Sequence, residues 1–181
     1  MIFIEDLIKL FEETNRKFLY DQGEYINSRV SERSICGQLM LYLHEEKKAC
    51  YDSYIVDVEY NRNFGKKVKT IIDDEEQVMK ITCDIILHSR GSNLEQDNLI
   101  AIEMKKSNRP QKEKNKDRYR LMLLTRDSFT GNAFSFDGTK LPDHVCRYKL
   151  GIFYEIDLKS RTVNVEYYKK GELLKKYTQE Y

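Results

Sequence analysis

Residues 81–107 read ITCDIILHSRGSNLEQDNLIAIEMKKS. Two runs rich in β-branched and aliphatic residues, 81–87 and 99–104, flank a polar loop at 91–98. Apolar runs of strand length bounded by Gly, Ser, Asn and Asp predict a β-hairpin. The first run carries Asp84 in its middle, and the second closes on Glu103, Met104 and Lys105. Side chains alternate along a strand, so Glu103 and Lys105 share one face while Met104 and Lys106 point to the other. Burying a carboxylate costs several kcal/mol or more unless it is paired or bound to a metal. Asp, Glu and Lys set among strand aliphatics therefore call for a physical reason to be there.

The 181 residues around this stretch suffice for one domain with a sizeable core. Two prolines and eight glycines are too few for long disordered linkers. No apolar stretch approaches the ~20 residues that span a bilayer, so no membrane partner is expected. The N-terminus, MIFIEDLIKLFEE, has acidic residues where a signal peptide needs basic ones, which predicts a cytoplasmic location. Cys36, Cys50, Cys83 and Cys146 form no C-x-x-C pair and read as reduced thiols rather than a zinc site or disulfide frame. His44, His88 and His144 also lack metal-ligand spacing and are expected on the surface or in loops. A net charge of +1 argues against a nonspecific, electrostatically driven nucleic-acid binder. The charge is polarised, however. Residues 105–120 hold eight Lys or Arg against only Glu113 and Asp117, while acids collect at 73–76 and 95–97.

Outward from the hairpin, helical spacing of Phe3, Leu7, Leu10, Phe11, Thr14 and Phe18 predicts an amphipathic helix over 3–20, with a polar connection at 21–30. Ser31 is a good N-cap for a second helix whose buried stripe is Ile35, Leu39, Tyr42 and Leu43. A strand is expected at 54–60, ending in Glu59, Tyr60, Asn61 and Arg62, then a short extra arm at 66–74 and a solvated acidic turn at 73–76. Beyond Pro110 a helix covers 112–125, its start heavily basic, with Asp117 read as a surface residue. A long loop at 128–145 leads to a strand pair, 148–158 and 162–168, and a tail with one further short strand or helix.

The Asp84, Glu103-x-Lys105 arrangement, with eighteen residues between the carboxylates, resembles the PD-(D/E)xK nuclease superfamily. Cys83 stands where the motif's proline would, and the run Glu59-Tyr60-Asn61-Arg62 resembles an element of uncharacterised prokaryotic and phage members. The resemblance implies an α/β, restriction-endonuclease-like fold: an αβββαβ core with a central mixed sheet flanked by helices, plus an N-terminal helix. One domain would fill 1–181, with a helical extension at 1–30, the core at 31–158 and a C-terminal tail at 159–181. It further implies Mg²⁺, with Mn²⁺ as substitute, held by Asp84, Glu103 and the backbone carbonyl of Met104. Lys105 would orient the attacking water or stabilise charge on the phosphate. Glu32 has two readings that both stand: an offset to the helix dipole, or a further active-site carboxylate. Arg62, Lys106, Arg109, Lys112, Lys116 and Arg120 would contact DNA, the implied partner, with a homodimer or a larger nuclease complex as further partners. The competing expectation is a noncatalytic nucleic-acid-binding or assembly module with the same fold.

Overall fold

The computed structural model describes residues 2–47, 51–62, 68–93, 95–129, 132–133 and 144–181. Cys50, the start of the expected arm at 66–67 and most of the 128–145 loop lie outside the described residues. In chain order come α1 (Ile4–Asn27), α2 (Glu32–Glu46), β1 (Ile55–Val58), β2 (Thr70–Ile72), β3 (Val78–Lys80), β4 (Ile85–His88) and β5 (Asn98–Lys106). They are followed by α3 (Gln111–Thr125), β6 (Ser128–Phe129), β7 (Asn132–Ala133), β8 (Leu150–Asp157), β9 (Thr162–Lys169) and β10 (Glu172–Glu180).

Six strands form one mixed sheet in the order β1-β4-β5-β8-β9-β10, while β2–β3 and β6–β7 are separate two-stranded pairs. The predicted hairpin is present as antiparallel β4–β5, with Ile85 opposite Ile102. β5 and β8 run parallel, a pairing that needs a crossover, and α3 supplies it. The remaining neighbours in the large sheet are antiparallel.

Alternation along β5 sorts the layers. Ile100, Ile102 and Met104 pack with Leu7, Phe11, Ile35 and Leu39 from α1 and α2. Ala101 packs on the other face with Leu121 and Leu124 of α3. Each such aliphatic side chain contributes about 1.5–3 kcal/mol on burial, so the two layers are held chiefly by these contacts.

Several expectations are corrected. The helix at the N-terminus does not stop at residue 20 but continues through Gly23 to Asn27. Gly costs ~1 kcal/mol inside a helix; here burial of Ile26 and the Tyr181 ring packed against Gly23 offset it. Residues 81–84 are not strand, so Asp84 stands at the entry to β4 rather than in its middle. The stripe of α2 is Ile35, Cys36, Leu39 and Leu43, with Tyr42 only half-buried. His88 is fully buried in β4, not on the surface. Its Nε2 donates to Asp57 Oδ2 at 2.8 Å, and Arg90 Nε donates to the same oxygen at 2.8 Å, which ties the short β1 to β4. Burial and the nearby Lys69 ammonium lower the His88 pKa despite the Asp57 carboxylate, so the ring is neutral at pH 7. The tail beyond residue 169 is the full-length strand β10. Among the described residues no helix is long and apolar enough to cross a membrane.

Candidate active site

Extending the β4–β5 register by one residue sets Asp84 opposite Glu103. Asp84 Oδ2 accepts the Met104 backbone N–H at 2.7 Å, which locks its carboxylate against β5. Burial raises the Asp84 pKa, and the Met104 N–H and Lys105 only partly counter it. Glu103 is almost wholly buried, at 1% exposure. Its Oε1 accepts from Arg120 Nη1 of α3 at 2.8 Å. Burial nevertheless pushes its pKa up to about 8, with Asp84 and Asp117 adding to the rise against the pull of Arg120.

Lys105 follows Glu103 to the α3 face, as alternation requires. Its Nζ lies 3.0 Å from Asp117 Oδ2 and donates to the Met104 carbonyl at 3.2 Å. Burial alone would lower its pKa, but Asp117, Asp84 and Glu103 outweigh it and the net shift is upward. Lys105 is therefore an ammonium at neutral pH. It can donate to a water or to a phosphate oxygen but cannot act as the general base. The Met104 carbonyl, expected as a metal ligand, accepts from this lysine with one of its two lone pairs, while the Met104 side chain faces the opposite layer, where it meets the Cys36 thiol.

Asp117 is the residue that sequence reasoning missed. It is 4% exposed, not a surface residue, and it also pairs with Arg120 at 3.3 Å. A signal existed: Asp117, Arg120, Leu121 and Leu124 stand at i, i+3, i+4 and i+7, one face of a helix. Since Leu121 and Leu124 had to be buried, Asp117 had to be close to them.

Glu32 opens α2 behind Ser31, whose Oγ accepts the Ser34 N–H at 3.0 Å as the predicted N-cap. Glu32 Oε1 accepts from the Lys106 backbone N–H at 3.1 Å and from Arg109 Nε at 3.0 Å. It thus fastens α2 to the end of β5 one residue beyond Lys105, and its charge helps to raise the Asp84 pKa.

The basic stretch divides by helix face. Lys112 and Lys116 are exposed, as is Arg62, which bridges Val68 through its backbone. Lys114 is buried and pairs with Glu155 at 3.4 Å; Arg118 makes a two-pronged pair with Glu166 at 2.9 Å on each oxygen. Arg120 turns inward to Glu103, and Lys106 Nζ to the Val30 carbonyl.

Asp84, Glu103 and Asp117 are three carboxylates faced by two cations, Lys105 and Arg120. The oxygen donors of Asp84 and Glu103 suit a hard divalent cation, and Mg²⁺ commonly takes only one or two protein carboxylates beside water and phosphate. A larger protein cage is not formed: among the described residues no three His, Cys, Asp or Glu are grouped to hold a metal. No protein-family model, curated protein or solved structure matches the chain, so its chemistry rests on these side chains alone.

Proposed function

We propose that the chain is a Mg²⁺-dependent nuclease that hydrolyses DNA phosphodiester bonds, built on the restriction-endonuclease-like αβββαβ core. The order α2, β1, β4, β5, α3, β8, with β5 and β8 parallel across α3, supports that core. The observation that carries the function is the pairing of Asp84 with a Glu103 whose pKa burial lifts to about 8, beside a protonated Lys105. Burial disfavours the charge on both carboxyls, and a divalent cation held between them would supply the compensating positive charge.

Asp84 and Glu103 would hold Mg²⁺, which when bound supplies charge to the phosphate and acidifies a water. The side chains do the rest. Asp117 holds the Lys105 ammonium at 3.0 Å and aims it from the face that Glu103 shares. Lys105 then stabilises the charge developing on the phosphate as the P–O bond breaks. Arg120 bridges Glu103 and Asp117, so it keeps the two carboxylates apart and oriented.

A second reading has its own observation. Glu103, Lys105 and Asp117 each already have a protein partner, as expected of a noncatalytic DNA-binding or assembly module. Cleavage of plasmid, linear duplex and single-stranded DNA with Mg²⁺ or Mn²⁺ separates the two. Wild type should cut. Asp84→Ala should abolish cutting together with metal binding. Lys105→Ala should keep the metal and lose about 10²–10³-fold in turnover. Asp117→Asn should lose roughly tenfold or more, with the pH profile of turnover shifted because Lys105 is no longer held. If wild type binds DNA but is as inert as every variant, the noncatalytic module is correct. Activity gained only on adding host proteins would point to a subunit of a larger complex.

A further inference from the structure

On the α1 side of the sheet, at the carboxyl ends of the parallel strands β5 and β8, lies a concavity of about 660 Å³. Open α/β sheets place ligands at this end of their strands. Three separate segments wall it: the end of α1 with Arg29, the end of β5 with Lys106, and the β8–β9 turn with Asp157, Lys159 and Arg161. Four cationic side chains thus face one carboxylate.

These groups are not neutralised alike. Asp157 Oδ1 is tied to its own turn, accepting the Lys159 N–H at 2.8 Å and the Ser160 N–H at 3.2 Å. Arg161 is held by Glu24 at 2.6 Å and by the Asn27 side-chain oxygen at 2.9 Å, while among the described residues the Lys106 ammonium donates to a neutral carbonyl alone. Arg29 and Lys159 are exposed, and among the described residues their side chains have no ion pair or hydrogen bond. Arg29 (φ 63°) and Arg161 (φ 55°) both adopt the left-handed conformation that favours glycine. Arg29 occupies the position just after the α1 C-cap, where glycine is the cheaper choice, and a long cation stands there instead.

Among the described residues no aromatic side chain lines the cavity, so nothing in it stacks on a base. Its chemistry suits a phosphodiester, which guanidinium and ammonium donors bind through charge-assisted hydrogen bonds. Lys105 and Lys106 are consecutive, and one serves the carboxylate cluster while the other serves this cavity. The two sites lie on opposite faces of the sheet at the same end of β5, so a strand crossing that end would run from one to the other. We infer that this cavity seats a non-scissile backbone phosphate of the DNA and anchors the strand independently of its sequence. The inference rests on the nuclease reading above.

Binding, measured by fluorescence anisotropy of labelled single-stranded and duplex DNA in EDTA, tests it without cleavage. The proteins compared are wild type, Arg29→Ala/Lys159→Ala, Arg29→Lys/Lys159→Arg and Asp84→Ala, over about 50–300 mM KCl. The double alanine variant should bind roughly tenfold or more weakly for unrelated sequences, with its log–log salt slope reduced by about 1 to 2. The charge-conserving variant should restore both, and Asp84→Ala should keep the wild-type slope. An unchanged affinity and slope in the double alanine variant overturns the inference. So does calorimetry in which inorganic phosphate or dAMP binds the cavity more tightly than DNA while DNA binding ignores the substitutions. The two readings fail separately. Cleavage lost in Asp84→Ala with a normal salt slope in the double variant removes only the anchoring cavity. A reduced slope with no cleavage by any protein removes only the nuclease.

Discussion

At Glu103, burial and charge act against each other. Arg120 stabilises its ionised form, yet burial beside Asp84 and Asp117 wins and the pKa climbs from near 4.5 to about 8. Between those values the folded chain retains a proton that the unfolded chain has released, so stability falls as pH rises through that window. Glu103→Gln removes the charge and keeps the shape. It should therefore raise stability to urea by about 1–3 kcal/mol at pH 8.5, gain much less at pH 5, and lose Mg²⁺-dependent cleavage. Urea unfolding at the two pH values checks this, and a variant less stable at both would remove the claim that ionised Glu103 is costly. That Glu103 and Lys105 share a face was legible from strand alternation alone. Asp117 was passed over because its acidic side chain stands in a mostly basic run, and only the geometry of α3 turns it towards Lys105.

Among the elements, α3 shares the site with β5, since it carries Asp117 and Arg120 to meet Lys105 and Glu103. Its seat on β8 depends on Gly151. A Cβ there would meet Thr125 Cγ2 at 3.1 Å, Tyr168 Cβ at 3.2 Å and Leu121 Cβ at 3.4 Å. Two of those atoms belong to α3, so Gly151→Ala pushes the helix away from the sheet. The expected result is a loss of about 1–3 kcal/mol in stability. Any cleavage activity should fall further than stability does, because the Lys105–Asp117 contact lengthens. Thermal unfolding alongside cleavage rates measures both, and equal stability with equal activity would show that α3 tolerates the shift. The starts of α2 and α3 could be read closely from Ser31 and Pro110, which mark them by local chemistry. The end of α1 could not, because tertiary burial of Ile26 and the contact of Tyr181 with Gly23 override a local helix-breaking signal.

For the whole molecule, a ligand that binds only the folded state raises its stability by mass action. Mg²⁺ at a few millimolar should raise the melting temperature of wild type by a few degrees, and Asp84→Ala should show no rise. The proton on Glu103 competes with the cation, so the rise should be larger at pH 8 than at pH 6. Calorimetric scans with and without Mg²⁺ at both pH values test this. A rise of the same size in Asp84→Ala would place the cation elsewhere.

Local pattern sufficed for the β4–β5 hairpin, the N-cap of α2, and the shared face of Glu103 and Lys105. Each follows from periodicity, turn chemistry or strand parity, which act over a few residues. Three features had to wait for the tertiary structure. Asp84 is locked by the Met104 N–H across the hairpin, and His88 is buried on Asp57 of the neighbouring strand. The cationic cavity gathers Arg29, Lys106, Lys159 and Arg161 from segments far apart in the chain. Burial and charge clustering are properties of which elements meet. A sequence read in order contains the side chains of such a site, but only the parallel β5–β8 pairing and the helices on its two faces bring them to one place.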